Sequence, residues 1–499
     1  MSTAYGVTAV VLVVLAAVLI GAFGIRLSRT TSDFYVASRT VSPLWNASAI
    51  GGEYLSAASF LGIAGLILTY GADMLWLPVG WTGGYLVLLV LVSAPLRRSG
   101  AYTLPDFAEA RLESMAVRRT AGVLVVLIGW LYLMPQFQSA GLVLRAITGA
   151  PTWAGGLLVA AVVSVNVMSG GMRSITFVQA FQYWLKLTAL AVPLVFLLLA
   201  WRAEGAPGMS ARDAAVWALP LSSGREYGLY STYSLILATF LGTMGLPHVL
   251  VRFYTNPDGR AARRTTLVVL SLLGAFYLLP AVYGVLGRIY VPELKGSDTV
   301  VLTLPGRLVG GVAGDLLTAL VTAGAFAAFL STSSGLTVSV AGVIGQDILK
   351  GGVRSFRAAS VVAVIVPLVL ATSARALPVA DVVGLAFAVA ASSFCPLLVL
   401  GIWWRRLTPV GALAGLLVGG GLACGAVLTT IGGGPHTGLL GALLAQPAAW
   451  TVPIAFVVMV AVSLLTPGHI PPNVARTMVR LHAPETLDLD RGDWRPRSL

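Results

Sequence analysis

Charge is what this chain has least of. Only 10% of its 499 residues are Asp, Glu, Lys or Arg, 57% are hydrophobic, and the mean hydropathy is +0.88. A soluble domain carries about a quarter charged residues, so a soluble fold is excluded. Apolar runs of 18 or more residues recur along the chain and set the class, an all-α polytopic membrane protein held in a lipid bilayer. Cysteine is nearly absent. Cys395 and Cys424 both fall inside apolar runs, so neither a disulfide nor a cysteine metal site is expected. No nucleophile–base pair or metal-ligand constellation is present, so the chain is not read as an enzyme. It has no P-loop and no dinucleotide fingerprint, and no organic cofactor is expected. Any energy must then come from an ion or substrate gradient, or the protein is a channel. Acids are also scarce, 19 against 32 basic residues, for a net charge of +13. In a membrane protein that excess reports topology rather than a nucleic-acid partner.

Thirteen candidate spans follow from the apolar runs, at roughly 5–26, 43–70, 74–98, 119–147, 152–169, 174–201, 232–251, 264–289, 312–345, 356–373, 379–403, 409–431 and 448–467. The first lacks the basic flank of a signal peptide and is expected to stay as a helix. Residues 1–470 are expected to form a single transmembrane domain, and 471–499 a polar tail. The connection 97–119 reads as a short amphipathic helix with Pro105 near its start. Twenty-three Lys and Arg fall in the connections after the odd-numbered spans and in the tail, and eight on the other side. The positive-inside rule then places the N-terminus outside and the C-terminus in the cytoplasm. The remaining base is Lys186, in the sixth span, and the one deep acid is Glu53. Charges at that depth are costly and are read as a structural ion pair or a coupling element.

The second span is interrupted. Gly51-Gly52-Glu53-Tyr54 puts glycines and a carboxylate where lipid favours Leu and Val, and a new helical run starts near Ser56. A helix broken at mid-membrane frees carbonyls and N–H groups that must line a cavity or bind something. A second polar interruption, Ser331-Thr332-Ser333-Ser334, offers hydroxyls, which are hard ligands suited to a small hard cation. They serve equally as small packing residues. A third, Gly242 to Arg252, should break at Gly245 and Pro247, with His248 just past the break. A turn at Ser169 to Arg173 leads to Thr176 and Gln179.

Six stretches resemble the sodium:solute symporter family, most of all its acetate-permease, monocarboxylate branch. They are SDFYVASRTVSP (32–43), GEYLSAASFLGIAG (52–65), YTLPDF (102–107), GGMRSITFVQ (170–179), LGTMGLPHVLVRFYT (241–255) and VGLAFAVAAS (383–392). The resemblance covers nearly the whole chain. It implies a LeuT-type core of five plus five inverted helices over residues 43–403, with 5–26, 409–431 and 448–467 peripheral. It implies a sodium site made by the carbonyls of Gly52, Leu55 and Ala328 and the hydroxyls of Ser331 and Thr332. One departure is that the sugar and proline branches carry Asp at the position of Thr176. Another concerns Lys186, which resembles a lysine that replaces sodium in some proton-coupled relatives of this fold.

The substrate is expected to be a short-chain monocarboxylate such as acetate, propionate or pyruvate. Helix N-termini near Ala57 and in the Gly245 region offer N–H groups to its carboxylate, Tyr54, Ser56, Ser59 and Thr243 add donors, and Phe60 adds an apolar wall. The expected function is import driven by sodium. Proton coupling through Lys186 or Glu53 is the alternative, with Thr176, Gln179 and His248 as further coupling or gating candidates. A solute sensor or channel is a third reading, disfavoured because only about 30 residues follow the last span. No obligate protein partner is evident. The richness in Gly, Ala and Arg suggests a bacterial plasma-membrane protein.

Overall fold

A computed structural model of the protein describes residues 3–25, 37, 41–210, 214–215, 217, 226–294, 296–349, 351–373, 379–434, 437–484, 487–488 and 493–496. Most of the 32–43 stretch lies outside the described residues, as do Arg26, Arg29, Arg39, Arg212, Arg225, Lys295, Lys350, Arg375, Arg491 and Arg497. The rest is helical, apart from a small ladder of Leu487–Asp488 with Asp493–Pro496 in the tail.

The helices, in chain order, are α1 (Thr3–Ile25), α2 (Pro43–Tyr54), α3 (Ile63–Tyr70), α4 (Trp76–Val87), α5 (Ser93–Arg98), α6 (Leu104–Leu112), α7 (Met115–Thr148), α8 (Thr152–Ala203), α9 (Gly228–Gly245), α10 (Pro247–Phe253), α11 (Gly259–Tyr290), α12 (Val300–Leu308), α13 (Gly311–Val343), α14 (Val353–Ser373), α15 (Val379–Trp403), α16 (Pro409–Gly415), α17 (Gly421–Ile431), α18 (Gly438–Ala445), α19 (Ala448–Leu465) and α20 (Val474–His482). Among the described residues, ten helical stretches are long and apolar enough to cross a membrane, or eleven when the bent pair α9 and α10 is taken as one span. That is fewer than the thirteen expected. The stretch Ala58–Arg98 holds two of the expected spans in part, and α8 holds two more. Glycine marks the division in each. Gly71 ends α3 at φ +80°, ψ −152°, and Gly171 interrupts α8 at φ +56°, ψ −149°. Both lie in a region that only glycine enters without strain.

Both expected breaks are present, one of them displaced. α9 stops at Gly245, Leu246 is extended, and Pro247 opens α10 at a bend of 41°. Proline at the first helical position costs no hydrogen bond and fixes the new start. In the first broken span, however, Gly51 and Gly52 sit inside α2. The helix runs on to Tyr54, the interruption falls at Leu55 and Ser56, and a π-turn at Ala58–Gly62 leads into α3. The glycines serve close approach instead. A Cβ on Gly52 would lie 2.1 Å from the Gln179 carbonyl oxygen, and one on Gly51 would lie 2.7 Å from the Tyr183 ring, so α2 can rest directly on α8.

α13 and α15 form the centre. From Val321 to Val343 every residue of α13 is buried, including all its hydroxyls, as expected of a helix enclosed on all sides. α13 packs along α8, and α15 along α9. The expected amphipathic helix in the 97–119 connection is α6. Its start is fixed by a capping box in which the Asp106 N–H donates to Thr103 Oγ1 and the Thr103 N–H to Asp106 Oδ2.

Candidate cation and substrate site

The site forms where the interruption of α2 meets α8 and α13. After Tyr54 the helix can no longer supply N–H partners to its last carbonyls. The Gly52 and Leu55 carbonyls both turn to Lys186 on α8. Lys186 Nζ donates to Gly52 O, to Leu55 O at 2.7 Å and to Ser331 Oγ at 2.7 Å. An ammonium has three protons, and here each meets an oxygen. Three of the five groups expected to hold sodium therefore surround the charged end of a lysine. The other two are engaged nearby. The Ala328 carbonyl accepts from Ser331 Oγ at 3.1 Å, and Thr332 Oγ1 donates to the Glu53 carbonyl at 2.6 Å. Lys186, Ser331 and Thr332 are all 0% exposed.

The expected pairing of Glu53 with Lys186 is not the one found. Glu53 pairs with Arg252 of α10 (Nε to Oε2, 2.7 Å), and both side chains are 1% exposed. Gly335 on α13 makes room for the carboxylate, since a Cβ there would fall 2.1 Å from it. The other two guanidinium nitrogens also donate. Arg252 Nη1 donates to Thr176 Oγ1 at 2.8 Å and Nη2 to Gln179 Oε1. Gln179 Nε2 in turn donates to the Ser331 carbonyl at 2.7 Å. A continuous network thus runs from Glu53 through Arg252 and Gln179 to Ser331 and Lys186. It brings together four of the five coupling candidates, Glu53, Lys186, Thr176 and Gln179. His248 stands apart, edge-on to Tyr132 with ring centroids 5.3 Å apart, and neither ring nitrogen has a hydrogen-bond partner among the described residues.

Counting Arg252 with the loop charges was an error of placement. Six residues past Leu246 is only about 9 Å along a helix, short of the ~15 Å from the middle of a bilayer to its polar edge. Once a break at mid-depth is inferred at Leu246–Pro247, an arginine so close to it is a buried arginine. That signal was available in the sequence.

Most of the expected substrate donors are already engaged. The Ala57 N–H donates to Gln136 Oε1 at 3.0 Å. Tyr54 OH and Thr243 Oγ1 lie 2.6 Å apart, and Thr243 gives its own proton to the Thr239 carbonyl at 2.7 Å, so Tyr54 donates to Thr243. The Ser59 and Tyr277 hydroxyls pair at 3.2 Å, and the Ser56 hydroxyl is buried beside Tyr132. Phe60 faces Phe276 at 6.4 Å. Gly245 serves packing, because a Cβ there would lie 2.4 Å from the Ala390 carbonyl oxygen. The surroundings are more aromatic than the sequence suggested. Trp81, Tyr85, Tyr132, Tyr277 and Phe387 come to the break from four other helices.

The sodium:solute symporter family profile matches residues 34–419. The chain is 33% identical over 461 residues to the uncharacterized symporter YwcA of Bacillus subtilis strain 168, covering 87% of this chain and 89% of that one. It is 32% identical over 437 residues to the monocarboxylic acid transporter of Corynebacterium glutamicum, covering 79% and 78%. Among solved structures it superimposes on a Na+-coupled sialic acid symporter in a substrate-bound outward-open state with a TM-score of 0.73, at 14% identity, covering 92% of this chain and 97% of that one. It also superimposes on Mhp1, a nucleobase-cation-symport-1 family transporter, with a TM-score of 0.60, at 14% identity, covering 91% and 99%. These two likenesses establish the LeuT-type fold. The protein is a multi-pass membrane transporter and not an enzyme, and the chain belongs to the sodium:solute symporter family.

Proposed function

We propose that this symporter carries a short-chain monocarboxylate, such as acetate, propionate or pyruvate, and that protons drive it through Lys186. The observation that carries the coupling reading is the three-oxygen seat around Lys186 Nζ. A sodium ion entering the same oxygens would stand within a few ångströms of the ammonium. Two unit charges 4 Å apart repel by about 4 kcal/mol at an effective dielectric constant of 20. The seat therefore holds one cation at a time. In the proposed cycle the protonated lysine fills it and ties α8 to α2 and α13. Loss of the proton to the cytoplasmic side removes the charge and frees the carbonyls, and α2 is released from α13. That is differential stabilisation of two states by one proton. The substrate reading draws support from the resemblance to the monocarboxylate branch and from the name of the Corynebacterium glutamicum relative.

Sodium is the second reading. Family membership and the oxygen-rich character of the seat favour it. It requires Lys186 to withdraw when the ion enters.

Uptake of labelled acetate into proteoliposomes, under an imposed sodium gradient or an imposed pH gradient, separates the two. The expected result is uptake driven by the pH gradient, lost in Lys186→Met, with little response to sodium. Sodium-driven uptake that disappears in Ser331→Ala would overturn the proton assignment. Wild-type protein inert to all three acids would remove the substrate reading.

A further inference from the structure

A transported carboxylate buried near the helix breaks must meet hydrogen-bond donors there, because an ionised group without them is costly to hold. The two buried cations nearest the break are each held by three protein groups. Lys186 has spent its three protons on Gly52, Leu55 and Ser331. Arg252 directs Nε, Nη1 and Nη2 to Glu53, Thr176 and Gln179. Three of the neutral donors expected from the sequence are spent too, Ala57 N–H on Gln136, Tyr54 on Thr243 and Thr243 on Thr239.

Three side-chain donors beside the break have no hydrogen-bond partner among the described residues, Ser56 Oγ, Trp81 Nε1 and Tyr85 OH, and the last two lie together on one helix. Trp81 Nε1 and Tyr85 OH are buried, at 1% and 0% exposure of their residues, and neither has a hydrogen-bond partner among the described residues. Leaving such a group unsatisfied costs about 1–3 kcal/mol, and folded proteins rarely do so without a reason. The two residues are four apart on α4, so they project from one face, one turn above the other. That face meets the break. Tyr85 stands edge-on to Tyr54 with centroids 4.8 Å apart, and Trp81 stacks on Tyr277 at 5.8 Å and leans on Phe387 at 5.7 Å. Glycines hold α4 in place. A Cβ on Gly84 would lie 2.5 Å from Thr243 Cβ, and one on Gly80 would lie 2.0 Å from Thr239 Oγ1, so α4 rests against the stretch of α9 that leads to its break.

We propose that Trp81 Nε1–H and Tyr85 O–H are the donors that receive the carboxylate of the transported acid, with Tyr54, Tyr277 and Phe387 walling its short apolar tail. This rests on the monocarboxylate reading above. It makes the anion site one of neutral donors, separate from the cation seat, so substrate affinity and ion coupling can be altered independently.

The test is concentration-dependent uptake of labelled acetate, propionate and pyruvate by the full chain in proteoliposomes, in wild type, Tyr85→Phe and Trp81→Phe. Trp450→Phe, on the peripheral helix α19, serves as the control. Tyr85→Phe removes one oxygen and keeps the ring, so it answers the question even if Trp81→Phe fails to fold. The expected result is a KM raised about tenfold or more in each variant, Vmax within about twofold of wild type, and an unchanged preference for the driving ion. Unchanged KM in Tyr85→Phe with uptake intact would overturn the assignment and leave the monocarboxylate reading standing. Wild-type protein that neither takes up nor is inhibited by any of the three acids would overturn both.

Discussion

Glu53 and Arg252 face each other at 2.7 Å with no exposure to water, and neither tolerates loss of the other. Removing one member of a buried pair strands the second charge, at a cost of about 3–5 kcal/mol. Glu53→Gln is accordingly expected to lower the melting temperature in detergent and to abolish uptake. Thr176 supplies a second test, because its hydroxyl already accepts from Arg252 at 2.8 Å. An Asp at this position places a carboxylate on the same guanidinium. The double variant Glu53→Gln with Thr176→Asp is therefore expected to recover thermal stability that Glu53→Gln alone loses, read as its melting temperature. No recovery would mean that Glu53 is needed for more than its charge. At this scale the sequence was informative about oxygens and poor about their partners. Gly52, Leu55 and Ser331 were named through the family resemblance, and the residues themselves showed only a broken helix and a run of buried hydroxyls. That a lysine ammonium meets them depends on how α8 crosses α2, and no local pattern encodes that crossing. Tyr54 and Thr243, expected as substrate donors, lie beside the breaks with their protons committed to protein partners.

The elements around the breaks are held by glycine and glutamine, and each makes a distinct prediction. Gly52→Ala would drive a Cβ to 2.1 Å from backbone at Gln179, which cannot swing aside as a side chain can. Overpacking of this kind costs about 1–3 kcal/mol. It would also separate α2 from α8 and pull the Gly52 carbonyl away from Lys186. The expected result is poor thermal stability together with weakened uptake, whereas Gly208→Ala, in open space outside the helices, should leave both unchanged. Gln136 acts on the other half of the broken span. Its side-chain oxygen accepts from the Ala57 N–H, one of the donors a new helix start leaves open. Gln136→Leu removes that acceptor, and the stranded N–H is expected to cost about 1–3 kcal/mol of stability. Gln136→Glu keeps an acceptor and should retain more of it. Comparing the melting temperatures of the two variants checks the assignment. The existence of both breaks was legible from glycine, proline and a misplaced carboxylate. The exact register of the first was not. Gly51 and Gly52 advertise a weak point in a helix, yet here their small size serves the contact with α8, and the chain unwinds one turn later.

At the scale of the whole molecule, the loops rich in Arg and Lys converge at one end. Arg118 on α7 bridges Asp106 on α6 at 2.7 Å and Asp347, just past α13, at 2.8 Å. Arg111 on α6 donates to the Gly401 carbonyl at the end of α15 at 2.7 Å, Arg98 donates to the His482 carbonyl of α20, and Arg357 on α14 donates to the Met168 carbonyl where α8 bends. Four connections and the tail, all put on one face of the membrane by the charge census, are thus tied to one another. That convergence supports the division of the loops into two sets, which the sequence alone could make because positive charge is strongly biased between them. The choice of side is a prediction of the positive-inside rule, which would make the Arg-rich face cytoplasmic. It can be read with two cysteines. Met115 opens α7 on the Arg-rich end and is 52% exposed, and Ala150 follows the same helix at its far end. In a background with Cys424→Ser and the buried Cys395 retained, a membrane-impermeant maleimide is expected to label Ala150→Cys in intact cells. It should reach Met115→Cys only after the membrane is opened. Labelling of Met115→Cys in intact cells would invert the topology. The direction in which Lys186 must release its proton during import would then invert with it.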